Sequence, residues 1–513
     1  MSTARRRGVG VAVGLVTAAV ALAVSALVAA FVGEVTSPIV AVGQAAIDAA
    51  PPWVKEFAIR TFGTRDKLAL LVGIGVLLAV FAAVLGVLAL RRRWVGQAGL
   101  LGFGVLGVAA AVSRPTADAL SALPSILGIA AGWAALRILL REATERPPAS
   151  RARGEMPTDY DRRRFLLTGL ALGGTAAVAG IGSWAVGETT SRAEASRASL
   201  RLPRPVDVAP VPAGADLHVA GLSSFFTPND SFYRVDTALI VPKVPAQDWS
   251  LRIHGMVDRE TRMDLRQLLA RPLVERDITL TCVSNEVGGP YIGNARWIGA
   301  LLKPILEEAG VHPNATQLVS RSADGFTVGT PTAVVMDGRD AMLAVAMNGQ
   351  PLPLAHGFPV RMVVPGLYGY VSATKWVVEM ELTTFEAFDA YWVQRGWARQ
   401  APIKTMSRID TPRPGQRVAA GRVAVAGVAW AQHRGIGGVE VRVDDGPWRP
   451  ARLGEQDTLD TWQQWLSPWD ATAGRHTLQV RATDRTGSTQ TSRAVPPIPD
   501  GATGWHTIVV EVT

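Results

Sequence analysis

Five apolar runs before residue 190 constrain this chain more than any other feature: Val9 to Val32, Leu68 to Leu90, Val95 to Val112, Leu120 to Leu140 and Phe165 to Val186. Each approaches the roughly 20 residues that a helix needs to cross a bilayer, at a rise of about 1.5 Å per residue. The third is the shortest. From Leu200 onward no such run recurs, and the residue pattern becomes that of a soluble protein. The chain of 513 residues is too long for one ordinary domain. The reading is therefore a multi-domain protein with an N-terminal α-helical membrane region of about five spans.

Positive residues set an orientation for those spans. Arg5-Arg6-Arg7 hold the N-terminus inside, Arg91-Arg92-Arg93 return the second helix to the cytoplasm, and the arginine-rich stretch Arg137 to Arg164 reads as a cytoplasmic loop. The fifth helix then exits, which puts the catalytic and C-terminal parts on the extracytoplasmic side of the cell membrane. Asp161-Arg-Arg-Arg-Phe-Leu-Leu-Thr168 resembles a twin-arginine export signal placed internally. The alternative is an ordinary positive-inside flank. The formal charge of +9 owes much to these loops, and no basic stripe interleaved with aromatics points to nucleic acid. All seven histidines lie after residue 217, so the spans lack facing imidazoles for membrane haem, and no haem is expected.

The boundaries follow from composition: 1–145 a four-helix membrane region, 146–190 the basic loop and fifth span, 191–225 a Pro-rich linker, 226–397 a catalytic domain, and 398–513 a β domain. Leu200 to Pro212 reads as an extended, semi-rigid spacer holding the catalytic part off the membrane. In the catalytic domain Leu239–Val244, Trp249–Gly255, Pro359–Pro365 and Lys375–Leu382 read as strands, and Leu265–Leu269 and Ile298–Ala309 as short helices. They do not alternate regularly, so an α+β domain is expected. After Ala398, period-two strands at Val423–Ala429, Val439–Val443, Thr477–Ala482 and Thr507–Val512 are divided by turns at Asp444-Asp-Gly446 and Asp484–Gly487. That pattern suggests an immunoglobulin-like β-sandwich.

Cys282 is the only cysteine. It stands where the apolar stretch Ile278-Thr-Leu-Thr runs into a glycine turn, and it cannot form an intrachain disulfide. Alone it reads as packing, chance or chemistry. Three further segments accompany Leu280-Thr-Cys-Val-Ser-Asn-Glu-Val-Gly-Gly289: Asn294-Ala-Arg-Trp-Ile-Gly-Ala, the stretch Met347 to Gly369 containing His356-Gly-Phe-Pro-Val-Arg361, and Thr374-Lys-Trp376. Together, in order, these resemble the sulfite oxidase family of molybdopterin enzymes, and the trailing sandwich resembles that family's dimerisation domain. The resemblance spans residues 225 to 513.

The resemblance implies a molybdenum–molybdopterin cofactor with one pyranopterin dithiolene, ligated at the metal by Cys282. A soft thiolate suits a metal already held by sulfur. It implies that Arg361 and Lys375 contact the cofactor's anionic tail, that His356 contacts the cofactor, and that Ser372 and Thr374 bond near the same tail. Arg361 and Lys375 read alone as surface ion pairs, and His356 as a loop histidine. Asp324 is a candidate for the pterin ring nitrogens, equally a turn aspartate before Gly325. Arg234 is a candidate for the substrate side of the metal, against an ion pair with Asp230 or Asp236.

Departures bear on the substrate. The family's sulfite oxidases carry Phe-x-Arg-Asn-His, and here Phe232-Tyr-Arg-Val-Asp236 keeps the arginine and loses both neighbours after it. Glu286 and Val287 stand where those enzymes have arginines. Their tyrosine over the oxo group is replaced near Trp397, with Tyr368, Tyr370 and Tyr291 as stand-ins. A dianionic substrate wants paired guanidinium donors. The expected activity is two-electron oxygen-atom transfer, either sulfite-oxidase-like or as reduction of an S-oxide or N-oxide such as oxidised methionine. The substrate would be a small molecule or an oxidised protein, the electron partner a separate redox carrier, and a homodimer is one assembly. A non-catalytic membrane scaffold is the rival from another class.

Overall fold

The structure is a computed structural model of the chain. It describes all residues except 1–2, 34–35, 52–53, 55–56, 58–60, 63–65, 115–116, 145–166, 175 and 181–191. Two compact units result, one of Met1–Ser191 with Thr237–Val241, the other of Arg192–Asp236 with Pro242–Thr513.

In the first unit, the helices Thr3–Val32, Asp66–Ala89, Arg93–Val112 and Leu123–Thr144 each contain a stretch long and apolar enough to cross a membrane. Val13, Ala89, Leu136 and Leu139 form one of their shared contact clusters. A shorter helix, Pro38–Ala49, was not foreseen, and its Gln44 accepts the Leu239 N–H through Oε1 at 3.1 Å. Of the fifth apolar run, residues 167–174 and 176–180 are described, and they are helical. The arginine motif at 161–164 lies outside the described residues.

The second unit corrects the linker. Residues Arg192–Ser199 are helical, and Arg197 donates to the carbonyls of Leu352 (2.8 Å) and Pro351 (3.0 Å), which fastens this helix to the catalytic domain. Asp207–Val208 then pairs in parallel with Leu273–Thr281. The proline-punctuated segment is thus an edge of the sheet: prolines fix an extended backbone, and a sheet edge accepts extended chain that lacks donors. A free spacer is not what it forms.

The catalytic domain has two mixed sheets. One runs Asp207–Val208, Leu273–Thr281, Ile292–Leu301, Met342–Met347 and Arg361–Val363, with Gln350–Pro351 paired to Met342–Met347. The other runs Thr261–Asp264, Ser250–Gly255, Val377–Thr383, Gln317–Ser322 and Thr327–Pro331. Trp249, Leu251, Leu318, Leu343, Val360 and Met380 belong to one buried core. The expected α+β character holds, with two corrections. Leu239–Val244 forms no strand, because Pro242 cannot donate to a ladder. Ile298 to Leu301 continue a strand before the helix Leu302–Ala309, since these residues are paired on both sides with Leu273–Glu275 and Met342–Ala346.

The C-terminal residues form two more sheets. One contains Met406–Thr411, Gly421–Trp430, Gln463–Ala471 and Arg452–Leu453; the other Arg417–Val418, His506–Val512, Gly474–Asp484, Ile436–Val443 and Arg449–Pro450. Val425, Trp465, Leu478, Val480, Ile508 and Val510 are buried together, as the period-two pattern requires.

His506 opens the last strand, and its Nδ1 accepts the Ile409 N–H at 2.9 Å, so that nitrogen carries no proton. Burial, reinforced by Arg408, pushes its pKa down from 6.5 to about 4. A folded pKa below the unfolded one means that protonation favours the unfolded chain. The full-length protein should therefore lose thermal stability as pH falls from 6.5 towards about 4, and stop losing it on this account below that. In His506→Asn, whose Oδ1 stands in for Nδ1, the slope of Tm against pH over this window should flatten.

Candidate active site

Cys282 follows the strand Leu273–Thr281, whose last five residues are all buried. The chain then makes a clamped loop. Cys282 N–H donates to the Tyr291 carbonyl (3.0 Å), Asn285 N–H to the Cys282 carbonyl (3.1 Å), and Tyr291 N–H to Asn285 Oδ1 (2.8 Å). Gly288 sits at φ +78°, and a Cβ there would overlap the His506 ring, so the close approach needs glycine. The thiol lies 2.9 Å from the Ser284 hydroxyl. Burial pushes its pKa up, while Ser284 and then the charge of Lys375 pull the other way.

Three cationic side chains come to this region. Arg361, on the short strand Arg361–Val363, is 5% exposed, lies 4.9 Å from the Trp297 ring centroid and donates to the His356 carbonyl at 3.2 Å. Its Nε is buried with no hydrogen-bond partner among the described residues, and burial pulls its pKa down to about 10. Lys375 is pulled down to about 8 by burial, against the opposing pull of Asp236, whose Oδ2 accepts from Nζ at 2.8 Å. Arg234 donates to the same carboxylate from Nε at 2.7 Å. Of the basic residues read alone as surface pairs, Arg361 is buried and Lys375 is only 10% exposed at its side chain, and of the two partners considered for Arg234 the structure selects Asp236.

His356 ends a short turn and is buried. Its Nε2 donates to the Asn229 carbonyl at 3.1 Å, which leaves Nδ1 as the unprotonated nitrogen. Burial, then the charges of Arg361 and Lys375, push its pKa down to about 4, so it is neutral. Gly357, at φ +109°, lets the turn lie on both basic residues: a Cβ would stand 3.0 Å from Arg361 Cβ and 3.1 Å from Lys375 Cα. Trp376 beside Lys375 takes φ +51°, costly for a bulky residue, and is fixed by its Nε1–H to the Leu354 carbonyl at 2.8 Å.

Ser372 and Thr374 are fully buried, yet their hydroxyls are already used. Ser372 Oγ donates to the Leu367 and Tyr368 carbonyls, and Thr374 Oγ1 lies 2.6 Å from Ser320 Oγ. They shape the turn leading to Lys375. Asp324 caps its own turn by accepting the Phe326 N–H at 3.2 Å; the turn reaches the site through Ala323 N–H to the Trp376 carbonyl. Glu286 is exposed, so the added carboxylate in this cluster is Asp236 instead. Tyr370 donates to the Ala398 carbonyl and Tyr368 accepts from Lys404 N–H, which turns both hydroxyls toward the C-terminal segment.

The residue that the sequence reading passed over is Tyr233. Burial, then the neighbouring Cys282, push its phenol above the ordinary range, and Arg361 opposes them. Its ring stacks on Phe232 at 5.2 Å, and Phe232 in turn meets Trp297 and His356 edge-on. The signal was adjacency: Tyr233 sits one residue before Arg234. A second ionisable group, His254, Glu379 and Glu381, is an ion-pair ladder, since Arg321 donates to Glu379 at 3.1 Å and Glu381 at 3.3 Å.

A buried guanidinium with an unpartnered Nε, a buried ammonium and a neutral imidazole beside one thiol suit a large anion that brings a thiolate-seeking metal. The family model of the oxidoreductase molybdopterin binding domain matches residues 238–392. An uncharacterized oxidoreductase of Bacillus subtilis, YuiH, is 32% identical over 149 residues, which cover 29% of this chain and 72% of that protein. The mitochondrial sulfite oxidase of Drosophila melanogaster is 30% identical over 305 residues, covering 51% of this chain.

The chain belongs to the sulfite oxidase family of molybdopterin-dependent oxidoreductases.

It spans about half the length of the curated relatives it matches, 52% for the insect protein. Among solved structures, the sulfane dehydrogenase SoxCD of Paracoccus pantotrophus aligns with a TM-score of 0.50 and 26% identity, covering 56% of this chain and 81% of its own. The donor set fits the family's cofactor: Cys282 offers a soft ligand, Arg361 and Lys375 offer cations for an anionic tail, and His356 Nδ1 offers an acceptor.

A cation kept for a ligand should burden the chain that lacks it. Replacing Arg361→Met should raise the melting temperature of cofactor-free protein, and it should lower molybdenum content in a cofactor-supplying host. A purely structural arginine would lose stability in both preparations.

Proposed function

We propose that the protein is a membrane-anchored, extracytoplasmic molybdenum oxidoreductase that transfers one oxygen atom and two electrons, passing the electrons singly to or from a separate carrier. The observation that carries this reading is the thiol of Cys282 set beside buried, under-compensated positive charge. When bound, the molybdenum–pyranopterin supplies the oxygen-atom transfer and cycles between the +6 and +4 states. Cys282 ligates the metal; Arg361 and Lys375 hold the anionic tail; His356 stays neutral and positions an acceptor. Tyr233, its phenol kept protonated, can hold or give a proton where oxygen is lost or gained. Ser372, Thr374 and Asp324 shape the surrounding turns.

The anchor in this reading is five spans, the fifth including Leu167–Gly180, with the arginine motif before it as an export signal. The basic flanks and the four long apolar helices support it. The C-terminal sheets are read as an immunoglobulin-like sandwich that serves in dimer formation. The substrate is sulfite or a related sulfur compound in one direction, or an S-oxide or N-oxide in the other. The sulfur chemistry named for the aligned Paracoccus enzyme supports a sulfur substrate.

Purified full-length protein from a cofactor-competent host should carry about one molybdenum per chain, and Cys282→Ser should carry little or none. Absence of metal from the wild type would sink the reading. Tyr233→Phe should keep the metal while its turnover falls about 100-fold, the usual scale of one acid–base group. A panel of sulfite, sulfoxides and N-oxides, followed through the molybdenum signal, identifies the direction.

A further inference from the structure

Asp236 is the one departure whose side chain lies inside the cationic cluster. It is 6% exposed, accepts from Lys375 Nζ at 2.8 Å, and accepts from Arg234 through both oxygens, at 2.7 Å from Nε and 3.3 Å from Nη2. Arg234 is 37% exposed, which makes it the cation of the cluster with the most open surface. Two of the cluster's three cations are thus bound to one carboxylate. Arg234 and Lys375 each have the Asp236 carboxylate as an ion-pair partner.

A phosphate monoester carries about two negative charges. In the proposed function the cofactor's tail occupies Arg361 and Lys375, and Arg234, the more exposed cation, keeps the Asp236 carboxylate as its counter-charge. A second dianion arriving there would meet a guanidinium whose best donors already point at Asp236. An uncharged oxygen carrier needs no such cation, only a donor for its oxygen, and Arg234 Nη1 is not among the atoms committed to Asp236.

We infer that Asp236 sets substrate charge at this site, cancelling Arg234 so that the enzyme takes an uncharged S-oxide or N-oxide and turns away dianionic oxyanions such as sulfite. This rests on the function proposed above and narrows it. Asp236 acts through Arg234 and Lys375, as a positioning and specificity residue; it is not a reacting group.

The test uses full-length holoenzyme, with molybdenum content measured first. Asp236→Asn keeps the shape and removes the charge; Asp236→Glu keeps the charge; Asp230→Asn, at an exposed site, is the control. Two readouts apply: displacement of the Mo(V) paramagnetic resonance signal by sulfate, and steady-state kinetics with sulfite and with dimethyl sulfoxide. The expected result for Asp236→Asn is sulfate binding tightened at least about 10-fold, and sulfite kcat/KM raised at least about 10-fold through KM. The ratio of kcat/KM for sulfite to that for dimethyl sulfoxide should rise at least about 10-fold in Asp236→Asn and far less in Asp236→Glu, and the exposed-site control Asp230→Asn should behave as wild type. Metal-loaded Asp236→Asn whose sulfate affinity is unchanged overturns the inference. So does loss of molybdenum from Asp236→Asn while the wild type holds it, because the carboxylate would then serve the cofactor's anchor. Wild type without molybdenum refutes the proposed function itself, which separates the two failures.

Discussion

Uncompensated positive charge inside the catalytic domain is the interaction on which the rest of this structure turns. Moving a cation out of water costs several kcal/mol unless partners repay it. Arg361 has one hydrogen bond, to the His356 carbonyl, and the face of Trp297, with Nε unpartnered. Lys375 has Asp236 and the face of Trp376, a residue at positive φ. The fold tolerates this because the surrounding core is dense and because the two positions are pinned by backbone on both sides: Met362 N–H bonds to the Thr374 carbonyl, and Val377 N–H to the Val360 carbonyl. A cradle so held is preorganised for an anion. The same field keeps His356 neutral, and the buried Asp236 is the counter-charge the chain supplies for itself.

Much of this was legible in the sequence, for identifiable reasons. The apolar runs needed only length and hydropathy, and four reappear inside long helices. Period-two strands after Ala398 were equally plain, because alternation marks a half-buried strand whatever its partners. The motif residues around Cys282, His356, Arg361 and Lys375 were found through resemblance, and the structure brings all four together. What stayed hidden was whatever depends on partners distant in sequence. The proline-rich segment at 200–212 looks like a spacer until Leu273–Thr281 is there to pair with it. Ile298–Leu301 look helical until strands flank them. Glu286 and Asp236 are both carboxylates replacing other residues, and only burial separates the exposed one from the one that bonds two cations. Tyr233 carried no pattern of its own.

The C-terminal sheets also change meaning once the contacts are seen. Read from sequence, they were an immunoglobulin-like sandwich resembling the family's dimerisation domain. In the structure they hold the strand that delivers Cys282. Thr279 N–H donates to the Asp460 carbonyl and its hydroxyl accepts the Trp462 N–H; Gln432 Nε2 donates to the Thr279 carbonyl and to Thr281 Oγ1. These bonds explain why two threonines, 1% and 2% exposed, are tolerated in the buried end of the strand. They are the polar ends of an inter-domain seam, satisfied from the other side.

The loop after Cys282 is braced from the same direction. Arg408 donates to the Gly289 carbonyl at 2.8 Å, and the His506 ring packs against Gly288. A thiol at a strand end has one covalent tether on each side, and a loop of this length would otherwise let it wander. Fixing Thr279 and Thr281 before it and Gly288 and Gly289 after it confines the sulfur with bonds that the catalytic domain alone does not provide. The C-terminal domain is therefore part of the apparatus that positions Cys282. The single cysteine of the chain owes its placement to residues more than 120 positions away in sequence as much as to its own strand.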